Sequence, residues 1–340
     1  MEFNKNNIEE IKEAEIIEES AQNVNEKAKR KKPRRKISKV AAVIIALCLI
    51  VFICASAVII RNYVKRHNNI EMNEKLNSVF IDGNEKNEEE EELFNFDEML
   101  KINPGFVGWI RVPNTNISLP VVKYSNNSYY LNHDFYKKYD YRGTVFMDYR
   151  NDAVNLDANT ILYGHNCYDG TMFSDLEKYQ DIEFYKTSPV IDFATVNGME
   201  KWKVYAVFIT NAKAEEDNGY IFNYIYPYMD GENFDGFINE VNKRRLYVPD
   251  VDINDDDNML VLSTCIRSLD IYSKGTRTYK ADARLVVLAR KLRAGESESV
   301  NTEAVTANPS PKYPQLWYDK NGTKNPYAGD EKWYPQEVNK

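Results

Sequence analysis

"NMLVLSTCIRS", residues 258–268, sets the apolar run Met259–Leu262 before Ser263, Thr264 and Cys265, and a basic residue, Arg267, follows. A short apolar run with polar flanks reads as a buried strand, so Cys265 stands at a strand exit. An unpaired cysteine is by default a small buried filler. At the exit of a rigid strand the same thiol meets solvent while its backbone stays fixed. Its chemistry then depends on its compartment and on the proton carriers and cations around it.

The compartment is legible further upstream. Val40–Ile60, "VAAVIIALCLIVFICASAVII", is 21 residues without a charge. At about 1.5 Å per residue this length crosses a bilayer core. It starts some forty residues into the chain and is too long for the apolar region of a cleaved signal peptide. The segment before it, "KAKRKKPRRKISK" (27–39), carries nine basic residues and no acidic one. The positive-inside rule puts that flank in the cytoplasm and the rest of the chain outside. Residues 1–39 read as a cytoplasmic tail, 40–60 as a single membrane span and 61–92, ending in Glu88–Glu92, as a solvated acidic stalk or helix. Cys48 and Cys54 fall inside the span, which leaves Cys167 and Cys265 in the exported part.

The net charge of −8 gives no reason to expect nucleic acid as a partner, and there is no GxxxxGK[ST] or GxGxxG phosphate loop. No cofactor or metal is implied. From Leu93 to about Leu292 short β-rich runs alternate with turn residues: "FVGWIRV", "SLPVVKY", "GTVFMDY", "NTILYGH", "WKVYAVFIT", "NMLVLSTC" and "ARLVVLAR". That rhythm predicts an all-β barrel or sandwich. Two stretches, 169–179 and 232–244, have the three- and four-residue apolar spacing of helices. The domain therefore reads as mainly β with added helices. Residues 293–340, rich in proline and polar residues, read as a disordered tail. Its clusters "YPQLWYDK" and "KWYPQ" leave docking, on the domain or on the wall, as the alternative.

A nucleophilic cysteine needs a group to manage protons and another to hold the oxyanion. The chain has three histidines. His67 lies in the stalk segment and His133 in the aromatic stretch "YYLNHDF". His165 closes the apolar strand "NTILYGH", where a polar loop begins. If the strands ending at Cys265 and starting at Arg284 pair antiparallel, exit and entry lie side by side. That brings Arg284 to the thiol, with Arg267 and Arg277, in the 18 residues between, as rivals.

"LSTC" closing a strand, "YGHN…DGTMFSDL" upstream and "ARLVVLAR" downstream resemble a sortase, most closely of class B. "INPGFVGWIRVPNTNISLPVVKYSNNSYYLNHDF" and "GTVFMDYRN" are similar to the start of class B domains, so the resemblance covers about Leu93–Leu292. It implies an eight-stranded β-barrel with added helices behind one transmembrane helix, anchored in the membrane of a Gram-positive type cell. It also implies roles: Cys265 as nucleophile, His165 as general acid/base and Arg284 as oxyanion stabiliser. The implied partners are secreted proteins with a C-terminal sorting signal of Asn-Pro-x-Thr-x type and an amine of the peptidoglycan cross-bridge or its lipid-linked precursor. The pocket expected for the signal is the 211–247 insert with the 266–283 loop.

Two features depart from the family. The connection from Cys265 to Arg284 is longer, and Cys167 stands where a non-thiol is expected. An active-site contact between His165 and Cys265 brings the two exported cysteines near each other, and outside the cell such a pair invites a disulfide. Other functions also fit these residues. A wall-associated cysteine peptidase or amidase shares the chemistry but uses water, a class B-like pilin polymerase uses a pilin lysine, and a β-rich adhesin uses no thiol. No long lid-like segment precedes the barrel, which favours wall anchoring over pilin assembly.

Overall fold

A computed structural model describes residues 38–81, 94–229, 231–269, 271–274 and 277–336, without the side chains of 271–280. Helix α1 runs Lys39–Phe80. Among the described residues it is the one helix long and apolar enough to cross a membrane. The chain divides between Tyr63 and Val64 into two compact units.

The unit from Val64 is built on eight strands: β1 (Phe106–Arg111), β2 (Ser118–Val122), β3 (Val145–Met147), β4 (Asn159–Tyr163), β5 (Val190–Thr195), β6 (Gly198–Asn211), β8 (Met259–Cys265) and β11 (Ala283–Lys291). They close in the order β1-β2-β3-β4-β8-β11-β6-β5, and β5 returns to β1. The eight-stranded barrel expected from the family resemblance is therefore present. Short pairs fill in the rest: β7 (Tyr247–Val248) with β12 (Thr306–Ala307), and β9 (Ile271–Lys274) with β10 (Arg277–Lys280).

Period-two alternation explains both faces of the barrel wall. Leu260 and Leu262 of β8 and Leu285 and Val287 of β11 join a core to which every barrel strand contributes. The intervening Met259, Val261, Val286 and Leu288 face outward with Phe208 of β6 and are covered by Phe222, Phe237 and Val241. Phe237 and Val241 come from a helix at Glu232–Arg244, the bounds read from its sequence spacing.

Four sequence expectations need correction. First, β5, "VIDFAT", lies outside the seven runs read as strands. Asp192 interrupts its apolar pattern, yet it lies opposite Lys201 on β6 and pairs with it at 2.9 Å. Second, 169–179 is not an α-helix. Gly170 (φ 81°) and Met172 (φ 55°) are left-handed, and only a 3₁₀ segment forms, at Ser174–Gln180. Third, the connection after Cys265 is not a plain loop: it holds the β9–β10 hairpin.

Fourth, the stalk and tail are partly packed. The end of α1 buries Leu76 and Phe80 against Met99, Phe106 and Trp109, with Phe80 stacked on Trp109 at 5.2 Å. Met72, Leu76 and Phe80, four residues apart, are a legible signal of that buried stripe. The acidic run Glu88–Glu92 and the basic segment up to Ile37 lie outside the described residues. The tail expected to be disordered instead buries Val305, Leu316 and Tyr318. Trp333 lies on the 232–244 helix over Gly236, where an added Cβ would meet its indole at 2.0 Å. Buried Lys312 pairs with Glu240 (3.5 Å) and Asp330 (3.0 Å), which fastens the tail to that helix.

Candidate active site

The barrel order places β4, β8 and β11 side by side. β4 runs parallel to β8 with Tyr163 level with Ser263, so two residues further on His165 and Cys265 leave the sheet together. β11 runs antiparallel to β8 with Arg284 opposite Cys265. Cys265 shares strand parity with Val261, and Arg284 with Val286, so both belong to the outward face beneath the insert. All three predicted site residues line one cleft of about 400 Å³, with Asn127, Leu131 and Tyr163.

Arg284 Nη1 donates to Cys265 Sγ at 3.1 Å and also pairs with the Asp282 carboxylate. Burial opposes its charge, but Cys265, Tyr224 and Asp282 outweigh that cost and hold the guanidinium pKa above its ordinary value. Asp282 is itself fixed: its backbone N–H donates to Glu216 Oε1 at 2.6 Å. His165 Nε2 donates to the Leu131 carbonyl at 2.8 Å. A carbonyl only accepts, so Nε2 carries a proton and Nδ1 is the nitrogen free to exchange one.

The cleft wall is tied together below these groups. Asn166 Nδ2 donates to the Cys265 carbonyl and Thr264 Oγ1 to the Gly164 carbonyl, both at 2.8 Å, locking the two strand exits. Tyr224 and Ser263 share a hydroxyl hydrogen bond of 2.8 Å. Tyr163 and Asn127 both donate to buried Asp148, at 2.8 and 2.9 Å. Asn166 and Asp282 went unnoticed in the sequence, although each sits within two residues of a predicted site residue.

Two rival groups, Arg267 and His133, are engaged elsewhere. Arg267 is engaged by Glu177 at 2.9 Å and lies over the Tyr168 ring. Arg277 lies on β10, and its side chain falls outside the described residues. His133 stacks on Tyr129 with ring centroids 4.1 Å apart. No disulfide joins Cys167 to Cys265. Cys167 is buried in the barrel core, which pushes its pKa up to about 11.

A family model for the sortase domain matches residues 110–292. Sortase B of Staphylococcus aureus is 34% identical over 199 residues, which is 58% of this chain and 75% of that protein. Sortase B of Listeria monocytogenes is 32% identical over 179 residues, 52% of this chain and 69% of that protein. Among solved structures, a Staphylococcus aureus sortase B-substrate complex superposes with a TM-score of 0.56 at 31% identity, covering 69% of this chain and 100% of that one. A sortase B complexed with triglycine gives 0.51 at 28% identity, covering 69% and 97%. With the domain match spanning more than half of its residues, and relatives of class B above 30% identity, this chain belongs to the sortase family of cysteine transpeptidases.

Proposed function

We propose that this protein is a membrane-anchored class B sortase that attaches secreted proteins to the cell wall. Cys265 is the nucleophile, His165 the general acid/base and Arg284 the oxyanion stabiliser. The substrate is a C-terminal sorting signal of Asn-Pro-x-Thr-x type. The Cys265 thiolate attacks the threonine carbonyl, and Arg284 supports first the sulfur's negative charge and then the oxyanion. The C–N bond breaks and the departing amine takes a proton from His165. An amine of the peptidoglycan cross-bridge or its lipid-linked precursor then attacks the thioester. It returns a proton to His165, and sulfur leaves as thiolate. The thioester keeps the cleaved bond's reactivity for the amine.

One observation carries this reading: Arg284 Nη1 lies 3.1 Å from Cys265 Sγ across a register-locked strand pair. A guanidinium there favours the thiolate and stays charged at every relevant pH. The flanking insert and β9–β10 hairpin supply the walls expected to hold the signal. The solved relatives include a substrate complex and a triglycine complex, which support a peptide donor and an amine acceptor. The apolar stretch of α1, with its basic flank inside, serves as the anchor.

The test is to trap the acyl-enzyme with a library of sorting peptides and weigh it. An adduct on Cys265 cut after threonine, resolved faster by an added amine than by water, is the expected result. Resolution indifferent to amine makes the protein a peptidase instead.

A further inference from the structure

A second cleft, of about 250 Å³, lies between the last turns of α1 and the barrel, inside the unit that begins at Val64. The packed face of α1 changes chemistry along its length. Leu76 and Phe80 make it apolar, whereas Asn73 and Asn69, one and two turns before Leu76, make it polar, with Asn77 beside them. Asn69 is only 3% exposed and its Nδ2 has no hydrogen-bond partner. Asn77 Oδ1 is also buried and unpartnered. Asn73 Nδ2 donates to Asn69 Oδ1 at 3.3 Å, so the ladder is only partly satisfied by itself. Burying an unpaired amide costs stability. Docking alone would be served better by leucine at these positions, as it is at Leu76.

The spacing identifies a partner. Residues four apart on a helix are about 6 Å apart along its axis. Alternate residues of an extended peptide are about 6.6–6.8 Å apart. A carboxamide donates and accepts, as a peptide group does, so three in a row match the backbone of one extended strand. Arg66 and Glu74 line the same cleft, and neither is held in an ion pair among the described residues. Eight residues of helix separate them by about 12 Å, about four residues of extended chain. Charges at positions i and i+4 of a strand point to one side.

We propose that this cleft binds a short extended peptide through the Asn69–Asn73–Asn77 ladder, with an acidic side chain at Arg66 and a basic one at Glu74. Ile70, Leu119 and Met172 offer the apolar surface for a small residue between them. Met172 is bridged to Asn166, and Phe173 N–H donates to the His165 carbonyl at 2.9 Å. The peptide therefore lies against the segment that carries His165.

The test uses the full-length protein in detergent micelles and fluorescently labelled Glu-Gly-Ala-Gly-Lys with blocked ends, read by anisotropy. It does not depend on transpeptidation, so it stands apart from the proposed function. Asn73→Leu and Arg66→Glu are each expected to weaken binding at least about tenfold. Arg66→Glu combined with Glu74→Arg restores it, because the peptide reverses. A peptide with its charges two residues apart binds correspondingly less. Thermal melts check the fold, and the paired charge variants keep the test open if Asn73→Leu fails to fold. Absence of binding, or binding unmoved by both single variants, means that the cleft holds only water and overturns the proposal.

Discussion

Asp282 and Arg284 form an ion pair through the same Nη1 nitrogen that reaches Cys265 Sγ. The arginine is therefore aimed from two sides, by the strand register and by the carboxylate of a residue whose backbone N–H donates to Glu216. Arg284→Ala is expected to lower the transpeptidation rate by about 10²–10³, the usual cost of one oxyanion donor. Lysine should rescue poorly, because it keeps the charge and loses the planar fork. Arg267→Ala loses a partly exposed pair with Glu177, the Tyr168 contact and a long bond to the Cys167 carbonyl, and should change the rate less than about threefold. Rates for the three variants, with melts to confirm folding, decide this. A near-normal Arg284→Ala enzyme removes the arginine from the mechanism.

The two exported thiols should react very differently. Burial pushes Cys167 up to about 11, so at neutral pH it stays a thiol away from solvent. Cys265 is half-buried in the cleft beside a guanidinium. Iodoacetamide at pH 7 should modify Cys265 first and abolish activity. Cys167→Ala should leave most of the activity and the same labelled peptide. Raising the pH towards the thiol range should bring in Cys167 only late. Peptide mapping by mass reads the order of labelling, and early modification of Cys167 would contradict its placement in the core.

The placement of the three candidate residues was legible because the strands beside them hold short apolar cores, Ile161–Leu162, Met259–Leu262 and Leu285–Ala289. "NTILY", "MLVLSTC" and "ARLVVLAR" fix parity and register, so His165, Cys265 and Arg284 come to one end of the sheet. The missed parts depend on partners remote in sequence. β5 hides behind Asp192 until Lys201 is placed opposite it, although Asn197-Gly198 already marked a hairpin. The tail looks disordered by composition because its apolar residues are scattered aromatics. They become a core where partners remote in sequence receive them: Tyr313 and Trp317 pack with Leu316 on the barrel core, and Trp333 on the 232–244 helix over Gly236.

That docking is open to measurement. Trp333 packs on Phe222 and Phe237 with ring centroids 5.9 and 6.1 Å apart, and its carbonyl accepts from Tyr220 Oη at 2.8 Å. Trp333→Ala removes a half-buried ring, about 1–2 kcal/mol when scaled down from full burial. In a domain of this size that lowers the melting temperature by about 2–8 °C. Gly236→Ala should act in the same direction by pushing the indole off the helix. An unchanged melt in both variants would mean that the tail adds nothing to stability.

Glu296 ties the end of the barrel to the tail and gives a pH test. Hydrogen bonds from Arg290, with Lys203 and the Arg293 backbone adding to them, outweigh burial and hold its carboxyl well below the ordinary range. Its folded pKa is thus depressed relative to the unfolded value of about 4.3. A group of this sign stabilises the fold above the unfolded pKa, and that contribution fades as the pH falls towards the folded one. Arg290 is 1% exposed on its side chain, so loss of the carboxylate leaves a buried guanidinium with one partner fewer, Asp252 at 3.1 Å remaining. Glu296→Gln is expected to melt lower than the parent at pH 7. The gap should narrow steadily below about pH 4, because the unfolded parent's carboxylate takes up a proton there while the folded one stays ionised. Melts of both proteins between pH 7 and pH 3 check this, and a gap that stays constant across the range assigns the loss to packing and not to charge.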